Sequence, residues 1–236
     1  MRVVTIVPVR STSSRLPGKV FLPVWGAPML EHFINRIKRT TFPPIVVLAT
    51  PWGDLHNFSE VIKKTNIYGF QQNGINDADV LSRLWFCASA VDADLIVRAN
   101  ADNPCMDPEM IEYLINTYLD NRCWDMIGTN IGDCPNTKWP QGVGAEVYSR
   151  NALDEAYHTQ KESKHREHPH LYFHENDLFF EPPCPFVWKS PAPNFEVNTR
   201  EQYKYIQSVY NNFERNDFNT RELLEYTDIS SAETNT

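Results

Sequence analysis

Three cations stand within ten residues near the start of the chain, in Val7-Pro8-Val9-Arg10-Ser11-Thr12-Ser13-Ser14-Arg15-Leu16-Pro17-Gly18-Lys19. Small residues such as serine and glycine let backbone N–H groups approach an anion. Arginine grips phosphate through a two-pronged fork, and lysine acts on it as a point charge. The chemistry this spacing suits is phosphate handling by Arg10, Arg15 and Lys19. It is not a P-loop: Ser13 stands where the first glycine of Gly-x4-Gly-Lys-Ser/Thr belongs, and Val20 where Ser/Thr belongs. An ordinary solvated loop has the same composition, so the loop alone leaves both readings open.

A second chemical candidate is Asp102, which follows the apolar run Leu95-Ile96-Val97. A carboxylate there suits a bound cation or a helix cap, and Mg²⁺ is typically held by one or two carboxylates plus substrate phosphates. An Asx turn before Pro104 is the plainer alternative. Asp107, just before Pro108, reads as a helix N-cap with proline in the first turn and carries no chemistry. His165, His168, His170 and His174 form a cluster in which His170 and His174 could share a metal. No cysteine accompanies them at ligand spacing and no His-Glu-x-x-His occurs, so zinc is not the expected reading. Glu146 alternates within Val143-Gly144-Ala145-Glu146-Val147-Tyr148 as a strand residue, and a solvent-facing position is open to it.

The elements that must position these residues read as alternating strands and helices. Val3–Val7 forms the first strand, directly ahead of the basic loop. Residues 45–49, 67–70, 95–98 and 124–128 read as further strands, and 29–39, 79–91 and 108–119 show helical spacing of apolar residues. This alternation predicts an α/β fold with a doubly wound parallel sheet, whose ligands bind beyond the carboxyl ends of the strands. The basic loop and Asn100-Ala101-Asp102 both fall there. After about residue 135, proline and aromatics become dense, which reads as an insertion covering a site. Phe179-Phe180 and Phe186-Val187-Trp188 are expected in core or dimer strands. The expected organisation is one domain over 1–228, with a nucleotide-binding core at 1–134, an insertion at 135–195, a return to the core at 196–228, and an unstructured tail at 229–236.

Bulk properties narrow the class. The 236 residues carry a net charge of −8, which argues against broad nucleic-acid binding. No apolar run approaches the length of a membrane span, and the first residues read as a strand, not as a signal peptide. Five cysteines with no Cys-x-x-Cys pair fit a reduced cytoplasmic protein.

Four blocks together resemble the cytidylyltransferases of acidic-sugar and surface-polysaccharide biosynthesis, especially the spore-coat polysaccharide protein F type, with the KDO and sialic-acid cytidylyltransferases more distant. They are Arg10 to Lys19 with Leu22-Pro23-Val24-Trp25-Gly26-Ala27-Pro28; Asp79-Val80-Leu81-Ser82-Arg83; Val97-Arg98-Ala99-Asn100-Ala101-Asp102-Asn103-Pro104; and Pro140-Gln141-Gly142 through Glu146 to Glu167-His168. The resemblance implies a Rossmann-like nucleotidyltransferase domain that binds CTP and Mg²⁺, transfers CMP to a sugar and works as a homodimer. It implies nucleotide contacts at Pro8, Arg10, Ser11, Arg15 and Lys19, with Arg15, Lys19 and Asp102 catalytic; Thr50, Asp79 and Arg83 are placed to frame the nucleotide, and a surface-helix arginine in a local ion pair is equally open for Arg83. It implies acceptor contacts at Gln141, Glu146 and His168, and metal ligands at Asp102 and Asn198. Asn198 stands where the family usually has Asp, with Glu196 as a possible substitute carboxylate on the same strand face. That departure keeps open a catalytically silent nucleotide-sugar-binding protein. A transferase using GTP or UTP is the other alternative.

Overall fold

The computed structural model describes residues 1–42, 45–72, 76–121, 123–129, 139–187 and 193–233, the last five by backbone alone. The expected boundary at 134/135 and Trp188 lie outside them. The elements in chain order are β1 (Val3–Pro8), a short hairpin of β2 (Pro23–Val24) and β3 (Ala27–Pro28), α1 (Met29–Ile37), β4 (Ile45–Pro51), α2 (Ser59–Thr65), β5 (Tyr68–Gln72), α3 (Val80–Ala90), β6 (Leu95–Arg98), α4 (Pro108–Asp120) and β7 (Met126–Gly128). They continue with β8 (Glu146–Ser149), α5 (Arg150–Thr159), α6 (Ser163–Glu167), α7 (Pro169–Glu175), β9 (Phe179–Phe180), α8 (Arg200–Phe213) and α9 (Thr220–Glu233).

The main sheet has the order β5-β4-β1-β6-β8-β7-β9. β5, β4, β1 and β6 are parallel, and β8 runs antiparallel between β6 and β7. The inner strands are apolar on both faces because helices cover both faces. Their period of two sorts side chains cleanly. Val46, Leu48, Leu95, Val97 and Val147 pack with Phe33, Ile34 and Ile37 of α1 and Ile111 and Leu114 of α4. Val47, Ala49, Ile96, Met126 and Tyr148 pack on the other face with Leu81 and Leu84 of α3 and Leu153 of α5. A third cluster seats Ile206, Val209 and Tyr210 of α8 on Val24, Met29, Phe195 and Val197.

Four expectations change. The expected covering insertion supplies β8 to the middle of the sheet and β9 to its edge, so much of it is core. Phe186 and Val187 lie in no strand, and Val187 is exposed. Residues 195–199 form no strand either; Glu196 and Asn198 sit in an irregular segment before α8. α9 continues to Glu233, past residue 229 where a tail is expected.

Candidate functional site

The basic loop leaves β1 at its carboxyl end and is held on both flanks. Val9 N–H continues the ladder onto Ala49 O at 3.0 Å. The Ser11 N–H and hydroxyl donate to the Asp54 carboxylate at 2.7 and 2.5 Å. Burial works to raise the Asp54 carboxyl, but these bonds, with one from Asn57, hold it below the usual range. Gly18 turns the loop with φ +64°, a left-handed conformation that costs glycine little, and Lys19 follows it. Opposite, the chain leaves β6 and reaches Asp102. Val197 N–H donates to Asp102 O at 2.8 Å, which brings Asn198 to the same place. Just after it, Thr199 and Gln202 close a capping box that starts α8. Gly142 makes that approach possible, because a Cβ there would stand 2.7 Å from the Phe195 carbonyl carbon.

These segments meet around a cleft of about 570 Å³. Lys19 Nζ donates to Asp102 Oδ2 at 2.8 Å and to Asn198 Oδ1 at 3.0 Å. Arg15 Nη2 donates to the same Asn198 oxygen at 3.2 Å. The amide is turned so that its oxygen meets the cations and its nitrogen faces Glu196 Oε2 at 3.4 Å. Pro8, Arg10, Arg15, Lys19, Asp102 and Asn198 therefore all line the cleft, as do Arg83, Glu146 and His168.

Other expected residues do not reach it. Ser11 is spent on Asp54. Thr50 is buried, with its hydroxyl 3.4 Å from Phe70 O. Asp79 is the N-cap of α3, accepting from Ser82 N–H at 2.9 Å, and is paired with Arg166 at 2.7 Å. Gln141 pairs through its backbone with the 193–195 segment. Asp107 caps α4 as expected and also accepts from the Thr220 N–H and hydroxyl.

Glu146 is not solvent-facing. It is 1% exposed and accepts two bonds of 2.7 Å from Arg98 Nη1. Tyr148 hydroxyl donates to it as well, and His170 Nδ1 lies 3.6 Å away. Burial alone would push the Glu146 carboxyl up; the Arg98 guanidinium, helped by His170 and Tyr148, holds it below its ordinary value. Burial lowers His170 to about 4, so its imidazole is neutral near pH 7. The other histidines scatter: His165 bonds Glu175 at 2.9 Å, His168 lines the cleft, and His174 packs on Phe179. Sequence reasoning missed Arg98 and His170 as cleft residues. Arg98 sits in the third matching block, but only its cross-strand partner Glu146, 48 residues away, shows what it pairs with.

Among the described residues, no group of three His, Cys, Asp or Glu side chains is poised for a metal. The donor set still fits a hard cation. Asp102 Oδ2 and Asn198 Oδ1 already converge on one positive group, the Lys19 ammonium, and both are the oxygen donors that Mg²⁺ takes alongside phosphate oxygens.

A doubly wound sheet whose strand ends carry a basic loop paired with a carboxylate is suited to hold the phosphates of a nucleotide. The family model of the cytidylyltransferases matches residues 4–233, and the chain belongs to that family. It is 28% identical over 230 residues to the spore coat polysaccharide biosynthesis protein SpsF of Bacillus subtilis, covering 93% of this chain and 91% of that one. A cytidylyltransferase structure from Leptospira borgpetersenii superposes with a TM-score of 0.87 at 23% identity, over 98% of this chain and 96% of the other. A CMP:2-keto-3-deoxy-manno-octonic acid synthetase complexed with CTP has the same fold, with a TM-score of 0.67 at 17% identity over 90% and 99% of the two chains.

Proposed function

We propose that this cytidylyltransferase moves CMP from CTP onto an acidic or otherwise modified sugar for surface-glycan assembly, releasing pyrophosphate in a Mg²⁺-dependent reaction. The observation that carries the reading is the facing of Arg15 and Lys19 against Asp102 and Asn198 across one cleft in a chain of this family. The name of the Bacillus relative supports polysaccharide assembly, and the octonic acid synthetase supports a sugar acid as acceptor.

Nucleotidyl transfer is an in-line displacement at phosphorus, so the protein contributes mainly positioning and charge. Arg10 and Arg15 bind the β- and γ-phosphates, and Lys19 balances the negative charge that grows on the departing pyrophosphate. Asp102 and Asn198 would hold Mg²⁺, which neutralises phosphate charge when bound. Arg83 is buried, and its Nη2 donates to Asp77 O at 2.5 Å. It therefore stiffens the 77–79 turn at the nucleotide end of the cleft. Calorimetric titration of CTP, GTP and UTP with Mg²⁺ tests the base: CTP is expected to bind tightest, and preference for another base rejects the cytidine assignment. Pyrophosphate release with CTP and a panel of 2-keto sugar acids tests the transfer.

A further inference from the structure

Arg166 stands in the last turn of α6 and uses every N–H of its guanidinium on the protein. Nε and Nη2 both donate to Asp79 Oδ2, at 3.0 and 2.7 Å, and Nη2 also donates to the Ser82 hydroxyl. Nη1 donates to the carbonyls of Tyr157 and Gln160 at 3.1 and 3.3 Å, and the guanidinium lies over the Tyr157 ring. One planar group thus ties the N-terminus of α3 to the end of α5 and to α6. The two sides it joins are not equally held. Residues 77–83 are braced by bonds of their own: Asp79 N–H donates to Asn76 O at 2.8 Å, Ser82 N–H to Asp79 Oδ1 at 2.9 Å, and Arg83 to Asp77 O. α6 has five residues and, among the described residues, no side-chain cap; so short a helix does not hold its shape alone. Lys164 and His165 tie it to Glu175 of α7, within the same segment, whereas Arg166 carries it across to α3. Both sides end in the cleft, Asp77 and Arg83 from the first and Glu167 and His168 from the second.

We propose that Arg166 is a positioning residue for the transfer: it sets the distance between the 77–83 turn and the Glu167-His168 segment, and so between the two substrates. This rests on the cytidylyl-transfer reading, in which the turn frames the nucleotide and His168 meets the sugar. Transfer needs the attacking hydroxyl in line with the α-phosphorus, where a misplacement of about 1 Å costs on the order of 100-fold. The nucleotide side keeps its own bonds without Arg166, so loss of the brace falls on the sugar. Lysine does not replace it, because one ammonium on a flexible stem cannot meet Asp79, Tyr157 and Gln160 together.

The test is steady-state kinetics with CTP and the sugar-acid panel. Arg166→Gln is expected to lower kcat/KM for the acceptor about 100-fold while the CTP Kd, read by calorimetry, stays within about twofold. Arg166→Lys is expected to remain impaired about tenfold or more, and full recovery overturns the proposal. Asp79→Asn keeps the cap of α3 but turns an amide NH₂ toward the guanidinium, and it is the second route should Arg166→Gln not fold. It is expected to match Arg166→Gln, with the double variant no worse than either single change. A bridge that serves stability alone would lower the denaturation midpoint and leave the acceptor kcat/KM unchanged. That result, losses that add in the double variant, or an equal loss of CTP affinity overturns the proposal. Amide exchange on the unliganded protein reads the brace without any substrate: Arg166→Gln is expected to speed exchange in residues 160–168 and not in 77–83, and unchanged exchange in 160–168 overturns the proposal. Wild type that fails to bind CTP rejects the cytidylyl reading itself, and the exchange measurement still decides whether Arg166 holds the segment.

Discussion

Lys19 is the point at which charge is exchanged in this cleft, since its ammonium already touches one carboxylate and one amide oxygen. Its proposed role against the departing pyrophosphate predicts a loss in turnover more than in affinity, because such a leaving group gains charge only as the bond breaks. Lys19→Ala and Arg15→Ala are each expected to lower kcat about 100-fold, the scale of losing one preorganised charge partner, with a smaller change in the CTP KM. Pyrophosphate-release kinetics measure both, and unchanged turnover in both variants removes the triphosphate role. Asn198 carries the complementary prediction. Its oxygen sits among cations and its nitrogen faces Glu196, so Asn198→Asp adds charge where Mg²⁺ is proposed to bind while placing two carboxylates side by side. Ligand charge count dominates hard-cation affinity, so Mg²⁺ binding in the presence of CTP is expected to tighten about tenfold, with a gain in rate. Calorimetry reads the affinity directly; weaker Mg²⁺ binding in the variant would show that Asn198 is no ligand.

At the scale of elements, the site depends on a staple outside it. Arg36 of α1 is fully buried and donates to Met106 O at 2.8 Å, Cys105 O at 3.2 Å, Asn216 O at 3.0 Å and Phe218 O at 2.8 Å. One side chain thus fixes the segment after Asp102 and the approach to α9 against α1. Arg36→Met keeps the apolar stem but orphans buried carbonyls, at a cost of about 3 kcal/mol or more. Chemical denaturation is expected to show that loss, with faster amide exchange in residues 103–107; a variant as stable as wild type would rule the staple out. No pattern in Met29–Ile37 announces this role, because its helical spacing is complete without Arg36. The elements themselves were largely legible: Val3–Pro8, Ile45–Pro51 and Leu95–Arg98 are apolar on both faces, which only a covered parallel sheet explains. The insertion of β8 between β6 and β7 was not, since strand order depends on pairing across distant segments and leaves no local trace. The same holds in the site. Arg15, Lys19 and Asp102 could be read from loop chemistry and the matching blocks, while Asp79, expected to frame the nucleotide, caps α3 and pairs with Arg166, a partner 87 residues away.

Across the whole molecule, the buried Arg98–Glu146 pair at the centre of the sheet, with His170 against it, makes stability depend on pH. His170, 7% exposed, faces Glu146, Arg98, His168 and His174. Burial, the largest influence, lowers its pKa from 6.5 to about 4. Below pH 6.5 the unfolded chain takes up a proton that the folded chain refuses. The stability gained by keeping His170 neutral is therefore complete above pH 6.5 and is lost as pH falls toward 4. Glu146 acts in the same direction in a lower window: its carboxyl is depressed from 4.5, so its contribution is whole above that value and declines below it. Folding free energy from urea melts should thus fall between pH 7 and pH 4, by up to about 3 kcal/mol through His170. His170→Gln should flatten the curve between pH 6.5 and pH 4 while keeping the decline below 4.5. A variant with the wild-type slope in the upper window would assign that slope to a group other than His170.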